Sequence, residues 1–156
     1  MKVSRRHGRL RLQLEPAEVD LLLTLFDQLD ALLDGSGDAD DAVLQRLNPA
    51  AYPGDEAAES EYRALTESSL QTERSQRTAA CRAELNRSRD VELSDPDAGR
   101  RWIQVLNDLR LALGTRLGIT EDDDQNVDPT DPGGQPRVVY YWLTALQDSL
   151  VRRLMR

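Results

Sequence analysis

Few side chains in this 156-residue chain are suited to covalent chemistry. His7 is the sole imidazole and Cys81 the sole thiol. No G-x-S-x-G serine elbow, Gly-rich phosphate loop or H-E-x-x-H pair occurs, and His7 lies in a basic stretch at the start of the chain. One histidine and one cysteine cannot make the usual His/Cys zinc site within one chain, and a lone cysteine makes no internal disulfide. Cys81 follows Arg77 by one helical turn, which favours a thiolate, but Glu84 opposes it and a mid-helix position denies it the N-terminal dipole. The plainer reading is a small, partly buried apolar residue; a redox role requires exposure and a thiol from elsewhere. Asp122, Asp124 and Asn126 open like a calcium loop, D-x-D-x-N. The sixth position is Val127 rather than Gly and the twelfth is Gly133 rather than Glu, so the stretch reads as a disordered acidic loop. Carboxylate pairs are common in a chain with 28 Asp and Glu, and therefore select nothing. The expectation is a protein that is not an enzyme, with no metal and no cofactor.

The remaining polar residues of interest are Asn107, Asp108 and Arg110, because they interrupt an apolar helix. They form either a buried polar cluster or the wet side of an amphipathic helix. The wet side is the favoured reading for Asp108, and the two readings stay open for Asn107 and Arg110. The helix that carries them is the most ordered message in the chain. Asp95 can cap it, and Pro96 fits its first position, where a missing N–H costs nothing. Trp102, Val105, Leu106, Leu109, Leu113 and Leu117 recur at helical spacing. Arg116 suits its negative end, and Gly118 can take the left-handed conformation that stops it. Gly114 inside the pattern costs about 1 kcal/mol against Ala, which suggests that another backbone comes close.

Around this helix the chain divides by charge. Residues 1–14 hold Lys2, Arg5, Arg6, Arg9 and Arg11 and no acid, while the rest carries 28 acidic against 15 basic residues, giving a net −8. Leu10, Leu12 and Leu14 alternate with polar residues as a strand with one buried face, and His7-Gly8 can turn it back on Lys2–Arg6 as a hairpin. This basic β arm either touches nucleic acid or an acidic partner, or is a solvated face offsetting the acidic body; the second is favoured. The net charge repels phosphate backbones.

Pro16 opens a first long helix that Gly35 ends. Val19, Leu22, Leu23, Phe26, Leu29 and Leu33 make its main stripe, and Leu21, Leu25 and Leu32 a second. So wide an apolar surface is either central or shared with a second copy, and both explain it. Residues 34–41 read as a flexible acidic loop and Ala42–Leu47 as a short helical turn. Asn48-Pro49 and Pro53-Gly54 bracket a turn around Tyr52. Asp55 can cap a helix through Ala58, Tyr62 and Leu65. Residues 71–78 lack apolar side chains and read as solvated, and the spacing resumed at Ala80, Cys81 and Leu85 breaks over Asn86–Asp90. An acidic loop spans 121–136, and a last helix runs from about Arg137 to Leu154 with Val139, Leu143, Leu146, Leu150 and Leu154 inward. No apolar run reaches membrane-spanning length, and the N-terminus lacks a signal-peptide core, so a cytoplasmic location is expected. The predicted fold is mainly α: a single domain over 1–156, a bundle of four or five helices with a short N-terminal β-strand or hairpin.

The order LEPAEVDLLLTLFDQLDALL, LNPAAYPGDEAAESEYRALT, WIQVLNDLRLALGTRLGIT and YYWLTALQDSLV resembles an actinobacterial family of unknown function that includes the oxidative-stress transcription regulator AosR. The most specific piece is N-D-L-R-L-x-L-G-T-R-L-G, Asn107 to Gly118, which makes Asn107, Arg110 and Arg116 the motif's polar residues. The resemblance implies a regulatory protein acting through transcription or Clp-related partners. The family's redox-sensing version is associated with a Cys-x-x-x-Cys pair; here Arg77 and Leu85 flank Cys81 at that spacing, so such a switch cannot form. The reading is therefore a non-enzymatic regulatory or interaction protein, with a homodimer or partner face at Leu21, Leu25 and Leu32. The alternatives are a direct DNA-binding regulator using Arg5, Arg6, Arg9 and Arg11, and a metal-binding or enzymatic protein using the acidic loops.

Overall fold

The computed structural model describes residues 1–34, 41–121, 130 and 134–156. The chain runs β1 (Lys2–Arg6), β2 (Arg9–Gln13), α1 (Pro16–Asp34), α2 (Asp41–Leu47), α3 (Glu56–Arg87), β3 (Asp90–Leu93), α4 (Pro96–Leu117) and α5 (Gly134–Leu154). The described fold is a five-helix bundle with a small antiparallel sheet of order β1-β2-β3. The acidic stretch at 35–40 and the calcium-like run at 122–129 lie outside the described residues, as do 131–133.

The hairpin forms where Leu10, Leu12 and the His7-Gly8 pair place it. Both turn residues have positive φ, 51° and 79°, which matches the twist of the flanking strands. Val3 pairs with Leu12, and Arg5 with Leu10. Val3, Leu10, Leu12, Val91 and Leu93 are buried on the inner face. β3 is a correction: residues 90–93 follow the stretch read as a break, yet Val91 and Leu93 alternate with Asp90 and Glu92. The alternation lets β3 pair with β2 in the register Leu12↔Val91 and Arg11↔Glu92. The outer face is then neutralised by salt bridges, Arg9 to Glu92 at 2.7 Å and Arg11 to Asp90 at 3.0 Å.

α4 is the centre of the bundle and touches α1, α2, α3, α5 and β3. Asp95 accepts from the Ala98 N–H at 2.8 Å, Pro96 occupies the first turn, and Gly118 closes the helix at φ 65°. Trp102, Val105 and Leu106 are wholly enclosed, with Phe26 of α1 tilted against Trp102 at 6.2 Å between centroids. Full burial of each such side chain is worth ~1.5–3 kcal/mol, which fixes α4 as the helix the others must cover.

α3 is one unbroken helix of 32 residues, about 48 Å long. No Gly or Pro interrupts 56–87, so backbone propensity carries the helix through its apolar-poor middle. Its buried residues, Thr78, Cys81 and Leu85, all lie in its C-terminal half. Residues 71–78 are not simply solvated: Thr78 is buried, and Arg74 and Arg77 turn toward α4. The N-terminal half has no buried residue and is covered on one side by the Asn48–Asp55 segment. Tyr52 meets the edge of Tyr62 at 5.9 Å, and the Tyr52 N–H donates to Glu59 Oε2 at 2.8 Å.

Candidate functional site

Two residues of the α4 motif, Asp108 and Arg110, join it to its neighbours. Asp108 is buried, which corrects its assignment to the wet side of the helix. It lies on the α3-facing side, with its carboxylate 3.6 Å from Arg74 Nε and 3.9 Å from Arg77 Nη2. Burial pushes its pKa up; Arg74 and Arg77 pull the other way and do not fully offset it. Its Oδ2 and the Nε atoms of both arginines lack hydrogen-bond partners, so the cluster is attracted across long distances and incompletely satisfied.

Arg110 points to the other side. Its Nε donates to Thr144 Oγ1 at 3.0 Å, its Nη1 donates to Gln147 Oε1 at 2.5 Å, and its guanidinium lies 5.6 Å from the Tyr140 ring centroid. Gln147 Nε2 in turn donates to the Ile103 carbonyl at 3.3 Å. Gly114 faces the same tyrosine: a Cβ there would stand 2.9 Å from Tyr140 Cε2. The close approach expected at this glycine is therefore made by an aromatic side chain, not by backbone. Asn107 is half-buried, and Arg116 is exposed beside the shallow depression between α1 and α4.

Leu25, Leu29, Leu32, Leu109 and Leu113 line that depression. Leu32 is buried within the chain and belongs to the core, so it is not free to serve as a face for a partner. Leu21 and Leu25 are half-buried, and Leu25 packs against the core. Of the second leucine stripe, Leu32 is thus core, Leu25 is packed on the core, and Leu21 stays half-buried.

The basic arm is also redistributed. Arg9 and Arg11 are engaged by Glu92 and Asp90, whereas Arg5 donates to the Arg156 carbonyl at 3.1 Å and Arg6 is exposed. Cys81 is fully buried, and burial, with Glu84 next, pushes its thiol up to about 12. A thiol so placed stays protonated near neutral pH. Among the described residues, no group of His, Cys, Asp and Glu is arranged to hold a metal ion.

A groove lies between the end of α2 and α3. Leu47, Asn48 and Pro49 form one wall, and Glu59, Tyr62, Arg63, Thr66, Glu67, Leu70 and Arg74 the other, around about 190 Å³. Arg74 fixes its depth: it donates to the Leu47 carbonyl at 2.5 Å and to Asn48 Oδ1, and its Nε faces Asp108. Arg63 is held by Glu59 at 3.0 Å. The groove is thus tied through Arg74 to the central motif. Sequence reasoning missed it because its walls come from elements separated by a turn, and the turn signal Asn48-Pro49 says nothing of what folds against it.

The chain belongs to the family described as a domain of unknown function, DUF2017, which it matches over residues 1–154. Relatives named "Oxidative stress regulator AosR" from Mycobacterium tuberculosis (strain ATCC 25618 / H37Rv) and Mycobacterium bovis (strain ATCC BAA-935 / AF2122/97) are each 43% identical over 65 residues, which is 42% of this chain. The matched stretch spans 29% of those relatives' length. No solved structure matches the chain. No helix among the described residues is long and apolar enough to cross a membrane.

Proposed function

We propose that this protein is a stress-linked regulator that acts by binding other proteins, in transcription or in Clp-related proteolysis, and that the α2–α3 groove is its partner site. The stress link rests on the names of the partial relatives. The contact mode rests on one observation: the groove of about 190 Å³ on the least buried half of α3. Its lining combines Leu47, Pro49, Tyr62 and Leu70 with charged groups at the margin, which suits one or two apolar side chains of a peptide segment. Direct DNA binding by the β arm is the weaker reading, since Glu92 and Asp90 already neutralise two of its four arginines.

The test is capture from a native lysate of the source organism with the parent protein and a Leu70→Glu variant whose helix content is unchanged. Transcription or Clp components recovered by the parent and lost by the variant support the reading. Recovery of neither class by the parent, or equal recovery by both proteins, overturns it.

A further inference from the structure

The groove between the end of α2 and α3 is lined by four charged side chains, Glu59, Arg63, Glu67 and Arg74, and their partners decide which charge a guest must bring. The cations are spent within the fold. Arg63 Nε donates to Glu59 Oε1 at 3.0 Å, and its Nη2 reaches the Asn48 carbonyl at 3.5 Å. The other oxygen of Glu59 accepts from the Tyr52 N–H, so that carboxylate is spent as well. Arg74 donates to the Leu47 carbonyl and to Asn48 Oδ1, and its Nε faces the carboxylate of Asp108. Arg77, one turn farther along the same side of α3, faces Asp108 too. Drawing Arg74 toward an anion in the groove would strip compensation from a buried carboxylate whose Oδ2 already lacks a hydrogen-bond partner.

Glu67 is the exception. It lines the groove, is exposed, and makes no hydrogen bond or ion pair among the described residues. Glu73, just beyond the lining, is likewise exposed and unpaired. Each stands three residues from Leu70, so the two carboxylates lie about 60° to either side of it round the helix and about 4.5 Å along the axis in opposite directions. The wall from α2 adds no charge: Leu47, Asn48 and Pro49 make it, and Arg46 lies outside the lining. What the groove offers a guest is thus an apolar seat of Leu47, Pro49, Tyr62 and Leu70, with a free carboxylate toward each end.

We infer that the groove takes a segment of a partner protein that carries an apolar side chain with Lys or Arg on both sides of it. This rests on the reading of the groove as the partner site and adds to it the sign of the guest. Complementary charge of this kind selects among partners more than it tightens binding. An acidic segment meets repulsion from Glu67 and Glu73 and finds both cations of the lining already engaged.

The probes are three fluorescent peptide pools with a central Leu or Phe, flanked on both sides by Lys, by Gln or by Glu. Binding is read as anisotropy with the full chain at low salt. The parent should bind the Lys pool about tenfold tighter than the Gln pool, and the Glu pool least. Glu67→Lys/Glu73→Lys should reverse that order. Should the Lys pair disturb α3, seen as lost helix content, Glu67→Gln/Glu73→Gln replaces it and should erase the order while the Gln pool still binds. Glu61→Lys, about 180° round the helix from Leu70, should leave the order as it is, which separates the groove from the general pull of an acidic chain. Equal binding of all three pools, lost on Leu70→Glu, overturns the inference and leaves the groove as the partner site. A Lys preference that Glu61→Lys removes as fully as Glu67→Gln/Glu73→Gln overturns it as well. Binding that Leu70→Glu does not touch overturns the groove reading and this inference together. A parent that binds no pool overturns the inference, in favour of a second copy as the guest where the parent pairs in sedimentation and Leu70→Glu does not.

Discussion

Gly114→Ala sets two effects of known sign against each other. In a helix interior, Ala is favoured over Gly by about 1 kcal/mol. Here the new Cβ would stand 2.9 Å from Tyr140 Cε2, 3.5 Å from Cδ2 and 3.6 Å from Cζ. The ring has little freedom to withdraw: Tyr141 meets it edge-on at 5.3 Å, and Arg110 lies over it at 5.6 Å. Overpacking of this kind costs about 1–3 kcal/mol, so steric cost exceeds propensity and the net is a loss of about 1 kcal/mol. For a chain of this length that lowers the melting temperature by roughly 2–4 °C. The decisive measurement is a double-mutant cycle by urea unfolding with Tyr140→Ala. Without the ring the same Gly114→Ala substitution should stabilise by about 1 kcal/mol, giving a coupling of about 2 kcal/mol. A parent background in which Gly114→Ala stabilises as much as it does beside Tyr140→Ala refutes the claim that the glycine exists to admit the tyrosine.

Other expectations follow from the buried groups. Burial raises the pKa of Asp108, so its stabilising contribution is fully present below its unfolded pKa and is lost as pH rises through its folded value. Urea midpoints of the parent should therefore fall relative to Asp108→Asn as pH is raised from the acid side. A difference that stays flat, or runs the other way, means Arg74 and Arg77 outweigh desolvation. Cys81, buried and with its thiol at about 12, should react with a thiol reagent only at the rate of opening and become fully reactive in denaturant. Rapid labelling of the native protein contradicts that placement. Arg9→Ala, which removes an exposed salt bridge to Glu92, should change stability by no more than ~1 kcal/mol in thermal unfolding.

The elements that were legible in the sequence are those whose signals are local. The hairpin followed from Leu10, Leu12 and His7-Gly8, and α4 from Asp95, Pro96 and Gly118. What was illegible depends on a second element. β3 has only Val91 and Leu93 as its alternating pair, too few to outweigh the polar residues before it until β2 supplies a partner. Asp108 sits on a side of α4 that only the position of α3 makes buried, and the arginines it faces, Arg74 and Arg77, are 34 and 31 residues away in sequence. Leu32 reads as surplus on α1 because only the packed bundle buries it. The groove depends on the same pairing of α3 with α4, since Arg74 lines it and faces Asp108.

The absence of any breaker in α3 makes that helix a lever. Tyr62 and Leu70 lie in one arm of it, while Glu84 in the other accepts from Trp102 Nε1 at 2.5 Å and from Arg101 Nη2 at 2.6 Å. The same carboxylate thus fastens the shaft of α3 to the indole ring at the heart of the bundle. Trp102 emission, read with Trp142 replaced by Phe, therefore reports on whether that fastening is intact.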